Sequence, residues 1–269
     1  MTDNTIEKAV ELFEHLPDSH SETGGEAGNV SQGSEFHEID LDKLHKRGFL
    51  TPEHASAQLM EEFRMLKLPI LKLALGRNER LDLPNANVVL VTSALEGEGK
   101  TFVAVNLAMS IAMELDTTVL LIDGNIRNRG LSRVFGLENH EGLLDVLSEE
   151  DKDLRDVIVK TNVEGLRILP AGQARNPRST ELLTSGRMRR LIAELSQRYH
   201  DRIVVIDATS LLASSQAKVL AQHAGQITVV VEAGKTTRQD IQEALGYLER
   251  DKAIGMVLNK NIWQAKGTY

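Results

Sequence analysis

Apolar residues along this chain repeat with two different periods, and the switches between them outline the fold. Short β-branched runs stand at 87–92 (NVVLVT), 118–122 (TVLLI), 166–169 (LRIL), 202–206 (RIVVI), 226–231 (QITVVV) and 254–258 (IGMVL). Between most of them lie stretches with helical spacing, at 101–114, 186–198, 214–223 and 237–250. Strands that are apolar throughout, rather than at alternate positions, are buried on both faces, as in a parallel sheet. Their alternation with helices predicts a doubly wound α/β fold: a mostly parallel sheet between two helical layers. Upstream, Thr51 as N-cap, Pro52 at the first helical position and Glu53 in the first turn predict a helix start. That helix runs through AQLMEEFRMLK and is kinked or ended by Pro69.

The first fifty residues read differently. Ile6, Val10, Phe13 and Leu16 predict a short amphipathic helix over 5–16, stopped by Pro17. Alone, such a helix is marginal in water, so it either docks on a partner or frays. Residues 18–36 are rich in Ser, Gly and Glu and are expected to be a tether. The expected division is an acidic, largely disordered segment over 1–50 and one α/β domain over 51–269.

Composition changes this picture little. The chain has 269 residues, 41% hydrophobic and 26% charged, which is ordinary for a globular protein. It has no cysteine, which excludes disulfides, thiolate metal sites and a cysteine nucleophile. No apolar run approaches the roughly 20 residues of a membrane span, and no secretory signal opens the chain. A cytoplasmic protein is expected. Charge is more informative. Residues 1–50 carry eleven acidic and four basic side chains, so almost the whole net charge of −8 lies there. That acidic head disfavours nucleic acid or an anionic leaflet as a partner.

The chemistry concentrates in VVLVTSALEGEGKTFVAVNLA. A strand ends at Thr92, a glycine-bearing loop follows, and a helix opens at Lys100-Thr101. The pattern is that of a phosphate loop, with Ala94 in the place of its first glycine. In such a loop, backbone N–H groups and a helix N-terminus converge on phosphate. Lys100 would reach the β- and γ-phosphates and the Thr101 hydroxyl would bind Mg²⁺. A glycine turn with no ligand is the plainer alternative. Two strands end in acids, VLLIDGNIR at Asp123 and RIVVIDATS at Asp207. Both lie at carboxyl ends of strands, where open α/β sheets bind ligands, though each acid could instead cap the following helix.

Together these segments resemble the bacterial tyrosine kinases of capsule and exopolysaccharide synthesis, a family of deviant P-loop ATPases. TSALEGEGKT, VLLIDGNIR and IVVIDATS match its three motifs. VFGLENHEGLLDVL and LPAG followed by NPRSTELL match more weakly. EEFRMLKLPIL resembles its Glu-x-x-Arg-x-x-Arg helix, with Glu61, Arg64 and Lys67 in place. The acidic head and EFRMLKLPIL look most like the exosortase-associated branch. The resemblance implies that ATP is bound by Glu98, Gly99, Lys100, Thr101, Phe102 and Asn259, the last at the adenine, although Asn259 could equally cap a turn, and that Mg²⁺ is held by Thr101, Asp123 and Asp207. It implies Asp123 as acid/base and Asp207 as an outer Mg²⁺ ligand. It further implies a homo-oligomer, a tyrosine on the protein itself as substrate, and an inner-membrane chain-length (co-polymerase) partner that holds the chain at the membrane.

Four departures stand out. Asn125 replaces the second aspartate of the second motif, and Ala208-Thr209-Ser210 replaces Ser/Thr-Pro-Pro. Glu96 replaces the loop proline, and the C-terminal tyrosine cluster is absent. Of the three tyrosines, Tyr199 and Tyr247 fall in predicted helices and Tyr269 ends the chain. Two functions are therefore expected to compete: a tyrosine autokinase regulating polysaccharide polymerisation and export, or a nucleotide-dependent switch of the same fold with weak or no kinase activity.

Overall fold

The computed structural model describes residues 35–76, 83–149, 151–173, 179–197 and 202–261. The expected helix over 5–16, Tyr199 and Tyr269 lie outside them. The first part of the chain forms β1 (Phe36–His37), α1 (Leu41–Lys46), α2 (Ala57–Ala74), β2 (Val88–Ser93), α3 (Lys100–Ala112) and β3 (Thr118–Asp123). Three short helices follow, α4 (Gly130–Phe135), α5 (Leu143–Ser148) and α6 (Leu154–Val157). Then come β4 (Val159–Thr161), β5 (Leu166–Leu169), α7 (Ser179–Leu182) and α8 (Gly186–Gln197). The last elements are β6 (Arg202–Asp207), α9 (Ser215–His223), β7 (Gln226–Glu232), α10 (Arg238–Leu245) and β8 (Ala253–Asn259).

The strands form one eight-stranded sheet in the order β1-β4-β5-β3-β6-β2-β7-β8. Among the described strands only β4 and β5 pair antiparallel. The expected α/β fold is therefore present. Alternate residues of the central strands face opposite layers. Val88, Leu90, Leu120, Ile122, Val204 and Ile206 pack with Leu191 and Ile192 of α8 and Leu220 of α9. Val89, Val91, Val119, Leu121, Ile203 and Val205 pack with Leu107 of α3 and with Phe63 and Ile70 of α2. Helix α3 is buried on nearly every face because it lies between the sheet and α2.

Four expectations need correction. The α2 helix starts at Ala57, not at Thr51-Pro52. The Thr51 hydroxyl donates to the His54 carbonyl and accepts from the His54 N–H, closing a turn of its own. Ser56 is the N-cap, its side chain accepting from Leu59 N. Second, Pro69 does not end α2, which continues to Ala74. Burial of Ile70 and Leu71 against the sheet's layer outweighs the one lost N–H.

Third, the ordered body begins before residue 51. Strand β1 pairs parallel with β4, and Ile39, Leu44, Phe49 and Leu50 enter the core. These apolar residues follow neither period, and the surrounding charges hide them. Fourth, β8 is an edge strand, with Ile254, Met256 and Leu258 exposed. An apolar run thus does not guarantee burial on both faces.

Candidate active site

The phosphate loop connects β2 to α3. Its turn is made by Gly97 and Gly99, at φ 82° and 96°, in the left-handed region that suits glycine. Lys100 opens the helix and is buried, its Nζ donating to Ser93 Oγ (3.0 Å) and to the Leu95 carbonyl (3.4 Å). Loss of water lowers its pKa, opposed by the charges of Asp207, Glu98 and Glu96.

Thr101 follows on the same helical turn, and its hydroxyl donates to Asp207 Oδ2 at 2.7 Å. Asp207 ends β6 and is in register with Asp123 at the end of neighbouring β3, so the sheet itself sets the two acids side by side. Both are fully buried. Burial, and then the charge of Asp123, push the Asp207 carboxyl up to about 7, with the Thr101 bond opposing. Asp123 is also raised by burial, while Ser132 and the Asn125 N–H pull it down. Ser132 donates to Asp123 Oδ2 through its N–H (2.8 Å) and its hydroxyl (2.7 Å).

Asp207 Oδ1 has no hydrogen-bond partner among the described residues. A buried carboxylate oxygen without a donor is costly, and a hard cation would satisfy it. The donors present there, carboxylate and hydroxyl oxygens, fit Mg²⁺. Among the described residues no cluster of three or more His, Asp or Glu could hold a metal ion. Mg²⁺ at this place would have to complete its shell with phosphate oxygens and water, which is its usual habit.

The other expected binding residues are placed as follows. Glu98 is buried, and its carboxylate accepts from Leu95 N (2.6 Å), Glu232 N (3.2 Å) and the Thr236 hydroxyl. What it can offer a ligand is its backbone N–H. The Phe102 ring packs against Phe49 (5.4 Å between centroids) and Phe63 (6.4 Å), so it too can meet a ligand only through its backbone. Asn259 lies against the loop, with Nδ2 donating to the Glu98 carbonyl at 2.8 Å. Asn125 is nearly buried beside Asp123, its Oδ1 accepting from Asn128 N at 3.4 Å.

Sequence reasoning missed Ser93 and Ser132, which anchor Lys100 and Asp123. Ser93 ends β2 inside the loop motif itself but carries no signal of its own there, and Ser132 matters only because α4 brings it to Asp123. The two weaker motif segments do meet, Leu143 N donating to the Pro170 carbonyl (2.9 Å) and Leu144 N to that of Ala171 (3.0 Å). The segments leaving Asp123 and Asp207 line a polar cleft of about 420 Å³, with Arg127, Glu181, Thr184, Ser214 and Gln216 in its walls.

A parallel sheet with a phosphate loop after a central strand and paired acids at adjacent strand ends defines a P-loop nucleotide-binding fold. Residues 86–261 match the AAA domain family. The tyrosine-protein kinase wzc of Salmonella typhimurium is 31% identical over 183 residues, 67% of this chain and 25% of that protein. YwqD of Bacillus subtilis, also a tyrosine-protein kinase, is 32% identical over 173 residues, 64% of this chain and 71% of that protein. The solved kinase domain of the Escherichia coli tyrosine kinase ETK superposes with a TM-score of 0.67 at 27% identity, covering 88% of this chain and 93% of that one. The chain belongs to the bacterial tyrosine kinase family. It spans about a quarter of the length of wzc. Among the described residues no helix is long and apolar enough to cross a membrane.

Proposed function

We propose that this protein binds ATP with Mg²⁺ and transfers the γ-phosphoryl group to tyrosine on copies of itself, as a regulator of exopolysaccharide or capsule polymerisation and export. The reading is carried by one juxtaposition: the head of α3, with Lys100 and Thr101, stands against Asp207, and Asp123 is registered beside it. Names among the relatives support tyrosine as the acceptor. A membrane chain-length protein as partner, and assembly into a homo-oligomer at the inner membrane, belong to the same proposal.

In this reading the phosphates replace Ser93 Oγ and the Leu95 carbonyl as partners of Lys100. Backbone N–H groups of Glu98, Gly99, Thr101 and Phe102 line the phosphates, and Asn259 Oδ1 accepts from the adenine amino group. Thr101, Asp207 and Asp123 hold the metal directly or through its waters; when bound, Mg²⁺ neutralises charge on the phosphate oxygens. Asp123, held in place by Ser132, takes the phenol proton. The tyrosine oxygen then forms its bond to the γ-phosphorus as the bond to the ADP oxygen breaks. The acceptor enters through the polar cleft beside Arg127.

Incubation of the purified chain with γ-labelled ATP and Mg²⁺, followed by peptide mapping, tests this. Phosphotyrosine that disappears in Asp123→Asn is the expected result. Nucleotide binding without any phosphotyrosine would overturn the kinase reading in favour of a nucleotide switch.

A further inference from the structure

A phosphate loop works only if its N–H groups turn inward. In a trans peptide each N–H points opposite to the carbonyl of the residue before it, so fixing a carbonyl on the outside fixes the next N–H on the inside. Two carbonyls of this loop are held from outside. Lys260 Nζ donates to the Gly97 carbonyl at 2.6 Å, and Asn259 Nδ2 donates to the Glu98 carbonyl at 2.8 Å. The peptide units so fastened carry the N–H groups of Glu98 and Gly99.

We infer that Lys260 is a positioning residue for the nucleotide phosphates: from the far end of β8 it fastens the loop in the curvature that turns the Glu98 and Gly99 N–H groups toward phosphate. This rests on reading the loop as the phosphate site.

Lys260 is itself held in place. It takes a left-handed φ of 57° just past β8, and its Nζ lies 3.2 Å from a Glu232 carboxylate oxygen. Glu232 ends β7, and its N–H donates to Glu98 Oε1 at 3.2 Å. The loop is thus gripped twice, by the turn after β7 and by the end of β8. Gly99 shows how close that grip is. A Cβ there would come within 2.1 Å of Asn259 Nδ2, so the glycine makes room for the clamp as well as for the turn. The Lys260 side chain remains 45% exposed, so it supports no core. Its truncation should leave the fold intact.

The test compares Lys260→Ala, Lys260→Met and Lys260→Arg with the unaltered chain. Mg-ADP affinity is measured by calorimetry, and exchange of the Glu98 and Gly99 amides by hydrogen–deuterium exchange without nucleotide. Because the Lys260 side chain is 45% exposed and its ammonium is shared with Glu232, the bond is weighed at ordinary net strength, which predicts about five- to tenfold weaker ADP binding in the alanine and methionine variants. Exchange at the two amides should rise several-fold in both while the thermal midpoint without nucleotide stays in place. Arginine, which keeps a donor and the charge, should recover most of the affinity. Unchanged affinity and exchange in Lys260→Ala would overturn the inference, as would a loss that arginine does not relieve. Should the unaltered chain bind no ADP, the phosphate-site reading itself fails, and the inference fails with it. Exchange would then report only whether Lys260 holds the loop.

Discussion

Lys100 is almost out of contact with water, and among the described residues its ammonium donates only to two neutral acceptors, Ser93 Oγ and the Leu95 carbonyl. Neither compensates for lost hydration as a phosphate would. Lys100→Ala is therefore expected to weaken ATP binding by at least about tenfold, since about 1.4 kcal/mol is a decade. Titration calorimetry checks it, and unchanged affinity would mean that the phosphates sit elsewhere. Asn125 gives a second prediction. It stands beside Asp123, its N–H donating to Asp123 Oδ1 at 3.2 Å, in the place where the motif that VLLIDGNIR resembles has a second acid. Asn125→Asp is expected to raise the rate of phosphotransfer. It should also lower the thermal midpoint when Mg²⁺ is withheld, because a third carboxylate then joins two buried ones. A rate that stays flat would show that this position is not limiting. The meeting of Lys100, Thr101, Asp123 and Asp207 was legible in the sequence because the two acids end strand patterns and the lysine and threonine open the helix after the glycine loop. Ser132 was not, since its role comes from α4 swinging back over the end of β3. Lys260 was equally hidden, as only the pairing of β8 with β7 brings it to Gly97.

Among the elements, α2 shows how local signals and packing share control. Its true start at Ser56 and the false one at Thr51-Pro52 carry equally good capping chemistry. The hydrogen bonds between Thr51 and His54 decide between them, and no propensity records those. The apolar face of α2 then carries the helix through Pro69. Phe63 is the anchor: it is buried, and its ring lies 6.4 Å from that of Phe102, in the first turn of the phosphate-loop helix. Phe63→Ala is expected to cost about 3–5 kcal/mol, the usual range for removing a buried phenylalanine. It should weaken nucleotide binding as well, because α3 loses support just behind Lys100. Urea unfolding with and without ADP separates the two effects. A cost below about 1 kcal/mol would mean that α2 docks mainly through Ile70 and Leu71. The edge position of β8 went unread for a related reason. Its apolar run looks like that of β7, and only the order of strands in the sheet distinguishes a central position from an edge.

For the whole molecule, the end of β8 bears directly on the phosphate loop. Asn259 and Lys260 grip the phosphate loop through its carbonyl groups. The tail that follows, 262–269, lies outside the described residues, and it carries Tyr269. An acceptor hydroxyl must come in line within about 3–3.5 Å of the reacting phosphorus. Tyr247 is poorly suited to that. It sits just past α10 with the Lys218 ammonium 3.2 Å from its ring centre, a cation–π contact that holds the ring to its own subunit. Tyr269 follows a stretch without apolar periodicity in the sequence, the pattern that favours it as an acceptor presented to a neighbouring copy. Phosphate is therefore expected on Tyr269, delivered between copies. Mixing Lys100→Ala chains, which keep the acceptor, with Tyr269→Phe chains, which keep the catalytic groups, should yield phosphotyrosine on the Lys100→Ala partner alone. Phosphate confined to Tyr247 would contradict the tail route. Labelling of the unmixed protein but not of the mixture would show that each chain modifies itself.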